Sequence, residues 1–146
     1  MCIQTNDNPY YRDNNNGTTV SVSYYGYRYD SYSDRYSGDI VIPESVTYNG
    51  KTYSVTGIVS QAFQDCTGLT SITIPISVTS IGLAAFSGCS GLTSIKVESG
   101  NLKYDSHDNC NAIIETESNT LIAGCPNTTI PNSVTSIGGS AFYGCI

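Results

Sequence analysis

A stretch of 21 residues that returns at a fixed distance constrains this chain more than any other feature. The first copy, SVTGIVSQAFQDCTGLTSITI, occupies residues 54–74. A second copy, SVTSIGLAAFSGCSGLTSIKV, begins 23 residues later at residues 77–97, with twelve identical positions. A third, shorter copy, SVTSIGGSAFYGC, occupies residues 133–145. Repetition at a short, fixed period predicts a solenoid, in which each coil packs mainly on its neighbours.

The apolar residues of each copy have predictable places in such a coil. Leu69, Ile72 and Ile74 give the pattern L-x-x-I-x-I, which predicts a strand with apolar side chains pointing into the coil, as in a leucine-rich repeat. The three phenylalanines of the chain hold the same position in the three copies: Phe63, Phe86 and Phe142. We expect a single stacked column of rings, with segments such as GLAAFSGC forming short helical turns that carry the rings inward.

The positions between these apolar residues face outward from the strands. They are Thr70, Ser71, Thr73, Thr93, Ser94 and Lys96. If this wall is a recognition face, these hydroxyls and the lysine contact a protein or glycan ligand. The alternative is that threonine, a good strand former, simply keeps the face soluble, because the wall has no aromatic or arginine anchor of the kind that dominates interface energies.

The N-terminal third divides into a flexible leader, residues 1–17, and a tyrosine-rich β cap, residues 18–53. Eight of the twelve tyrosines lie between positions 10 and 36, and docking of Tyr10 and Tyr11 on the domain remains open. Three of them, Tyr25, Tyr27 and Tyr29, either bind a ligand through their ring faces and hydroxyls or cover the open end of the coil.

Two further elements are predicted in the cap. Residues 40–43, IVIP, indicate a short buried strand that ends at the proline. Asn49-Gly50 suits a two-residue type I′ turn, so we expect a hairpin with Val46 opposite Tyr53. This hairpin is predicted to close the N-terminal end of the solenoid.

An insertion, residues 98–127, separates the second copy from the third. Its two apolar runs flank the polar turn TESN and predict a hairpin in which Ile114 faces Leu121 and Ile113 faces Ile122. The same register brings Cys110 near Cys125, so a disulfide is one interpretation. The other is that Cys125 joins the row of buried, reduced thiols predicted at the equivalent positions Cys66, Cys89 and Cys145.

Charge and hydropathy exclude several classes of protein. Six Lys and Arg against twelve Asp and Glu give a net charge of −6, which argues against nucleic acid and anionic membranes as partners. No apolar run is long enough to span a bilayer. The first residues carry no signal-peptide pattern, so the chain is either not secreted or shown without its signal. Few charged residues and many Ser, Thr, Asn, Gly and Tyr are commoner in extracellular β-rich proteins, so we expect the second alternative and a protein of the extracellular space or bacterial outer surface.

The sequence offers little for catalysis or cofactors. Asp105, His107, Asp108 and Cys110 form the one tight group of candidate metal ligands, but zinc sites need two spaced ligand pairs and the chain has one histidine. No nucleophile motif accompanies His107. We therefore predict no enzymatic activity, no metal and no cofactor.

The motifs SVTSIG, AF-x-GC and GLTSI-x-IP resemble those of the BspA-like, or Treponema-type, leucine-rich repeat proteins of bacterial surfaces. The insertion NCNAIIETESNTLIAGCPNTTIPNSVTSIG is similar to stretches in such proteins from Bacteroides and Prevotella. The resemblance covers about residues 38–146 and implies a right-handed solenoid that binds extracellular proteins or glycans in adhesion or host interaction.

The repeat pattern also suggests a second function. The third copy stops where the earlier copies continue into the L-x-x-I-x-I strand, so the solenoid is predicted to end in mid-repeat. An uncapped coil exposes an apolar end and an unpaired strand edge. Either the chain is part of a longer one, or this end is covered by another molecule. Self-assembly of the chain through this C-terminal end is the alternative to ligand binding.

Overall fold

The computed structural model describes residues 2–4, 9–24 and 35–145 and shows a β-rich chain. In this part of the chain one short 3-10 helix, His107–Asn109, is the only helical element. The strands are β1 (Cys2–Gln4), β2 (Tyr10–Asp13), β3 (Thr19–Ser23), β4 (Gly38–Val41), β5 (Ser45–Tyr48), β6 (Lys51–Ile58), β7 (Leu69–Ile74), β8 (Ser80–Ile81), β9 (Ser94–Val97), β10 (Tyr104–Asp105), β11 (Ala112–Glu115), β12 (Thr120–Gly124) and β13 (Ser136–Ile137).

Three parallel strands form the wall predicted from the repeats, in the order β4-β7-β9. Ile72 lies opposite Ile95, so the register joins residues 23 positions apart. On the other side of β7, Ile40 lies opposite Ile72. All three isoleucines are buried, because alternation along each strand turns them toward the core.

A second set of parallel strands lies in another sheet, in which β6 pairs with both β3 and β8. Gly57 lies opposite Ser80 and Ile58 opposite Ile81, again 23 positions apart. A Cβ atom at Gly57 would stand 2.6 Å from the Ser80 hydroxyl oxygen. The Ser21 hydroxyl would stand 2.8 Å from the same Cβ atom, so glycine at this position leaves room for two serine side chains from the neighbouring strands.

The N-terminal residues correct one expectation. Residues 10–13, which we placed in a flexible leader, form β2 and pair with β3. Tyr11 is buried, and the Tyr36 hydroxyl accepts a hydrogen bond of 2.7 Å from the Tyr10 backbone N–H. Docking of the two tyrosines, the alternative that the sequence left open, holds this part of the chain on the sheet.

The hairpin formed by β5 and β6 has the predicted register. Val46 lies opposite Tyr53, and Tyr48 lies opposite Lys51. Asn49 and Gly50 both have positive φ, at 49° and 76°, as a type I′ turn requires.

The segments predicted as short helical turns are not helical. Ser87 N–H donates to Ala84 C=O, and Cys89 N–H donates to Phe86 C=O, which are bonds of single turns. Two positions in each copy have a left-handed backbone: Gln61, Ala84 and Ser140 at the first, and Asp65, Gly88 and Gly144 at the second. Because a right-handed helix cannot continue through such residues, each segment folds as linked turns.

The column of aromatic rings differs from the predicted one at both ends. Phe63 stacks on Phe86 with ring centroids 5.1 Å apart, as expected for adjacent coils. Tyr36 extends the column below Phe63 at 4.8 Å, which the repeat pattern could not show. Phe142 does not stack on Phe86. Its ring lies over Gly124, where a Cβ would stand 2.3 Å from a ring carbon.

The inserted hairpin explains the displaced ring. Ile114 pairs with Leu121, as predicted, and Glu115 with Thr120, but a bulge then places Ile113 opposite Ala123 instead of Ile122. The bulge shifts β12 by one residue. Gly124 is thereby brought beneath the third copy, at the level where the two earlier copies carry a phenylalanine.

Substitution of Phe86 should show how much the column contributes to stability. We expect Phe86→Ala to lower the free energy of unfolding by about 3 to 5 kcal/mol, because a buried, stacked ring leaves a cavity. Phe142→Ala, the matched control, should cost clearly less because this ring is only partly buried and rests on a glycine. Urea denaturation of both variants measures the difference, and equal losses would contradict this description of the column.

Candidate binding surface

The outer face of the β4-β7-β9 wall carries two rows of side chains set by the strand register. Asp39, Ser71 and Ser94 form one row, and Val41, Thr73 and Lys96 form the other. Ser94 and Lys96 are exposed, whereas Ser71 and Thr73 are partly buried. Thr70 and Thr93 lie exposed at the beginning of the same strands. The structure therefore brings all six wall residues predicted from the sequence onto one surface.

Asp39, which was not among the candidate residues, organises one edge of this face. Its carboxylate oxygen accepts hydrogen bonds of 2.8 Å from both the Thr70 and Ser71 hydroxyls. These bonds lower the pKa of the Asp39 carboxyl below its ordinary value, because they favour its charged form. Asp39 thus fixes a negative charge beside hydroxyls that are already engaged as donors.

Val41 corrects the reading of residues 40–43 as a buried strand. Ile40 and Ile42 are buried, but Val41 is 65% exposed on the outer face. The strand β4 lies at the edge of a wall with one buried side, so its residues alternate between core and solvent. Alternation from Ile40 is the signal that could have identified both Asp39 and Val41.

A cavity of about 470 Å³ adjoins the wall at β9. We call it the polar cavity because most of its lining residues have polar side chains, although Ile95, Val97 and Tyr104 also line it. Ser94 and Lys96 belong to both the wall and the cavity. The opposite side is formed by the insertion, with Asp105, His107 and Asn109 among the lining residues. Hydrogen-bond donors and acceptors of several kinds therefore converge beside the wall.

His107 links the insertion to the third copy. Its Nδ1 lies 2.6 Å from the Asp105 carboxylate, and its Nε2 lies 2.9 Å from the Ser133 hydroxyl. Ser133 is 26 residues from His107, so no local sequence pattern predicted this contact.

The same order of groups occurs in acyl-transfer triads, but such sites also need donors aimed at the developing oxyanion. A common donor is the N–H of the residue that follows the serine. Here that group, the Val134 N–H, already donates to the Pro131 carbonyl at 3.1 Å. We therefore interpret Asp105, His107 and Ser133 as a structural link between two segments.

Within residues 9–24 and 35–145 the cysteines are free thiols, of which Cys66, Cys89, Cys110 and Cys125 are buried and Cys145 is partly buried. Cys110 and Cys125 are both free in the structure, so the disulfide considered for them is not formed. The bulge in the hairpin replaces the register from which that pairing was inferred. The Cys89 thiol donates to the Phe63 carbonyl at 3.0 Å, and Cys145 donates to the Gly124 carbonyl at 3.5 Å.

Burial also controls the ionisation of these thiols. Desolvation raises the pKa of Cys66 to about 11 and that of Cys89 to about 12, because the interior disfavours a thiolate. Both groups are therefore protonated and weakly nucleophilic at neutral pH.

The remaining candidates are placed as follows. Tyr25, Tyr27 and Tyr29 lie outside the described residues. Within residues 2–4, 9–24 and 35–145, no group of three or more His, Cys, Asp and Glu side chains is arranged to hold a metal ion. The described part of the chain also contains no helix long and apolar enough to cross a bilayer.

Parallel strands from successive sequence copies, apolar inside and polar outside, define a leucine-rich repeat protein. The chain belongs to the BspA type leucine-rich repeat family, whose sequence pattern matches six copies over residues 33–122 and 118–146. No curated protein is similar to this chain in sequence.

Solved structures of bacterial leucine-rich repeat proteins share the fold. A leucine-rich repeat protein from Bacteroides ovatus is 30% identical with a TM-score of 0.58, over 92% of this chain and 31% of that one. The leucine-rich repeat protein of T. pallidum is 23% identical with a TM-score of 0.55, over 92% of this chain and 64% of that one. A leucine-rich cell surface protein from Faecalibacterium prausnitzii is 24% identical with a TM-score of 0.54, over 68% of this chain and 24% of that one. The chain thus spans about a quarter to two thirds of the length of these proteins.

Alkaline unfolding should report the buried thiols. The pKa values of Cys66 and Cys89 are raised in the folded chain above the ordinary 9.0, so the unfolded chain loses these protons first. The stability that this contributes is complete below pH 9 and is lost as the pH rises toward 11 to 12. We expect the free energy of unfolding, measured by urea titration, to fall over this window.

The Cys89→Ala variant provides the control for this effect. It removes one of the two thiols, so the fall in stability between pH 9 and 12 should become shallower than in the parent chain. An unchanged slope would show that other groups control the alkaline transition.

Proposed function

We propose that this chain is a non-enzymatic binding module of a secreted or cell-surface protein, and that it recognises an extracellular protein or glycan. The observation that carries the proposal is the continuity between the outer face of β4-β7-β9 and the polar cavity beside β9. Ser94 and Lys96 are common to both surfaces. A ligand lying on the wall can therefore place a polar group in the cavity.

The chemistry of this surface suits a ligand rich in hydroxyl or amide groups. Lys96 is exposed and has no ion-pair partner among the residues that the structure describes, so its ammonium can donate to a ligand without breaking a bond. Asp39 supplies a fixed negative charge at the far edge. Val41 adds an exposed apolar side chain. A concave site with a few placed polar groups is the usual form of a small-molecule or glycan site.

A surface location is supported by composition and by similarity. The chain has few charged residues, 12% of the total, and its outer face is built from hydroxyl side chains. The similar protein from Faecalibacterium prausnitzii is described as a cell surface protein. We therefore expect the ligand to be met outside the cell, in adhesion or host interaction.

Paired substitutions on the shared residues test this proposal. The parent chain is first screened against a glycan array and a panel of extracellular matrix proteins, which separates the two ligand classes. The double variant Ser94→Ala/Lys96→Ala should then lose at least about tenfold in affinity for the ligand captured, which corresponds to about 1.4 kcal/mol. Both side chains are exposed, so the melting temperature should stay close to that of the parent.

Lys51→Ala is the matched control for this experiment. It removes another exposed lysine, on β6 and away from the wall, and should leave binding unchanged. Full binding by a folded Ser94→Ala/Lys96→Ala variant would exclude the wall and cavity as the recognition site.

Self-assembly is the second candidate, and exposed apolar side chains of the third copy favour it. Ile137 is 48% exposed and Tyr143 is 67% exposed. If two chains associate through this copy, light scattering should show a mass above that of one chain at high concentration. Ile137→Asp should return the mass to that of a monomer. A parent chain that stays monomeric at millimolar concentration would exclude this function.

A further inference from the structure

The turns of the first and second copies are joined by a regular ladder of backbone hydrogen bonds. Three alternate N–H groups of the first copy donate to three alternate carbonyls of the second: Gln61 to Leu83 at 3.1 Å, Phe63 to Ala85 at 2.8 Å and Asp65 to Ser87 at 2.7 Å. The N–H groups of the first copy thus point toward the next copy. By the repeat, those of Ala84, Phe86 and Gly88 should point toward the third copy in the same way.

Only one of these three N–H groups reaches the third copy. Gly88 N–H donates to the Tyr143 carbonyl at 2.8 Å. Ala84 N–H and Phe86 N–H have no hydrogen-bond partner among the described residues. The carbonyl that the repeat would offer to Phe86 belongs to Ala141, and it accepts instead from Gly124 N–H at 2.9 Å. The inserted strand β12 thus replaces the second copy as the hydrogen-bond donor to Ala141 of the third copy.

The ladder is therefore open over two bonds, and the opening is a cavity of about 290 Å³. Its walls are mostly small: Gly82, Ala84, Ala85, Ala123, Gly138, Gly139 and Ala141 are among the lining residues. Leu83, which is 72% exposed, also borders it. The Tyr104 hydroxyl accepts the Ile81 N–H at 3.0 Å. Glu115 also lines the cleft, and its carboxylate lies 3.7 Å from the Lys103 ammonium and accepts a hydrogen bond from the Ser118 hydroxyl at 2.8 Å.

We infer that this cleft binds a short, extended peptide with small side chains and one basic residue. Unpaired backbone donors at the edge of a ladder are templates for strand addition, in which main-chain hydrogen bonds give the affinity. In the intact ladder the acceptors are two carbonyls separated by one residue, Leu83 and Ala85. A peptide with the same spacing can accept from Ala84 N–H and Phe86 N–H.

Size and charge restrict the peptide further. The cleft lies near the lower end of the volumes found for ligand sites, and its glycine and alanine walls leave room for a main chain with methyl-sized side chains. A basic residue of the peptide can exchange with Lys103 as the ion-pair partner of Glu115, and the net charge of −6 favours lysine or arginine over an acidic residue. This site is separate from the outer face of β4-β7-β9, so the inference does not depend on the function proposed above.

Titration with a designed peptide tests the inference directly. The probe is acetyl-Leu-Ala-Ala-Lys-amide, which reproduces the sequence that the first copy meets at residues 83–85 and adds one lysine. We expect the amide proton resonances of Ala84 and Phe86 in the 15N-labelled full chain to move downfield, while that of Gly88, which is already bonded, stays in place. The glutamate analogue, acetyl-Leu-Ala-Ala-Glu-amide, should bind more weakly.

Two variants give the test its controls. Gly139→Leu is chosen to fill the cleft, because Gly139 lines it and a Cβ there meets no atom within 4 Å; this variant should abolish the shifts. Glu115→Gln should weaken binding of the lysine peptide about two- to fivefold, as expected for a partly exposed ion pair, and should remove the preference over the glutamate analogue. Lys96→Ala, on the outer wall, should leave the shifts unchanged.

Three results would overturn the inference. The first is that Ala84 and Phe86 amides do not move at millimolar peptide, which would mean that only water occupies the cleft. The second is that the shifts persist in Gly139→Leu, which would place the peptide elsewhere. The third is equal affinity for the lysine and glutamate peptides, which would remove the basic residue from the proposed ligand.

Discussion

Parallel backbone pairing between successive copies, with each residue beside the one 23 positions further on, is the constraint on which the structure depends. This register places equivalent residues of neighbouring copies side by side: Ile72 beside Ile95, and Phe63 beside Phe86. Burial of an isoleucine in one coil therefore requires burial of its equivalent in the next. The same register aligns equivalent side chains in rows on the outer face. Ser71 therefore lies beside Ser94, and a polar residue type at one repeat position gives a row of polar side chains.

The insertion interrupts this pairing, and both cavities lie at the interruption. Tyr104, in the inserted segment, lines the polar cavity beside β9 and also the cleft between the second and third copies. The hairpin of β11 and β12 supplies apolar residues to the core, such as Ile113 and Leu121. It does not supply every backbone group that a complete coil would offer. A regular stack has no room for a ligand between coils, whereas this irregular coil leaves space and unpaired donors.

The repeat made many features of the chain predictable. The inward positions of the wall, the six outward residues and the stacking of Phe63 on Phe86 follow from spacing alone. The hairpin register at Val46 and Tyr53 follows from the Asn49-Gly50 turn. Prediction of the aromatic column failed where Tyr36 and Gly124 depart from the repeat. Prediction of helical turns failed because a left-handed backbone, as at Ala84, recurs at the same position of each copy without a distinctive residue type. Asp39 was missed because it lies before the first recognisable copy, although alternation from Ile40 places it outward.

The fixed period predicts which side chains of the repeated coils face the core and which face outward, because it sets the neighbour of every residue. The contacts across the unique segments depend on how the chain packs in three dimensions. Such contacts, between His107 and Ser133 or between Gly124 and Phe142, depend on the path of the inserted chain. That path is set by packing and by competition for backbone acceptors, as when Gly124 takes the Ala141 carbonyl. Sequence spacing does not predict which N–H group binds such a carbonyl, because the alternative donors come from segments that meet only in the folded chain.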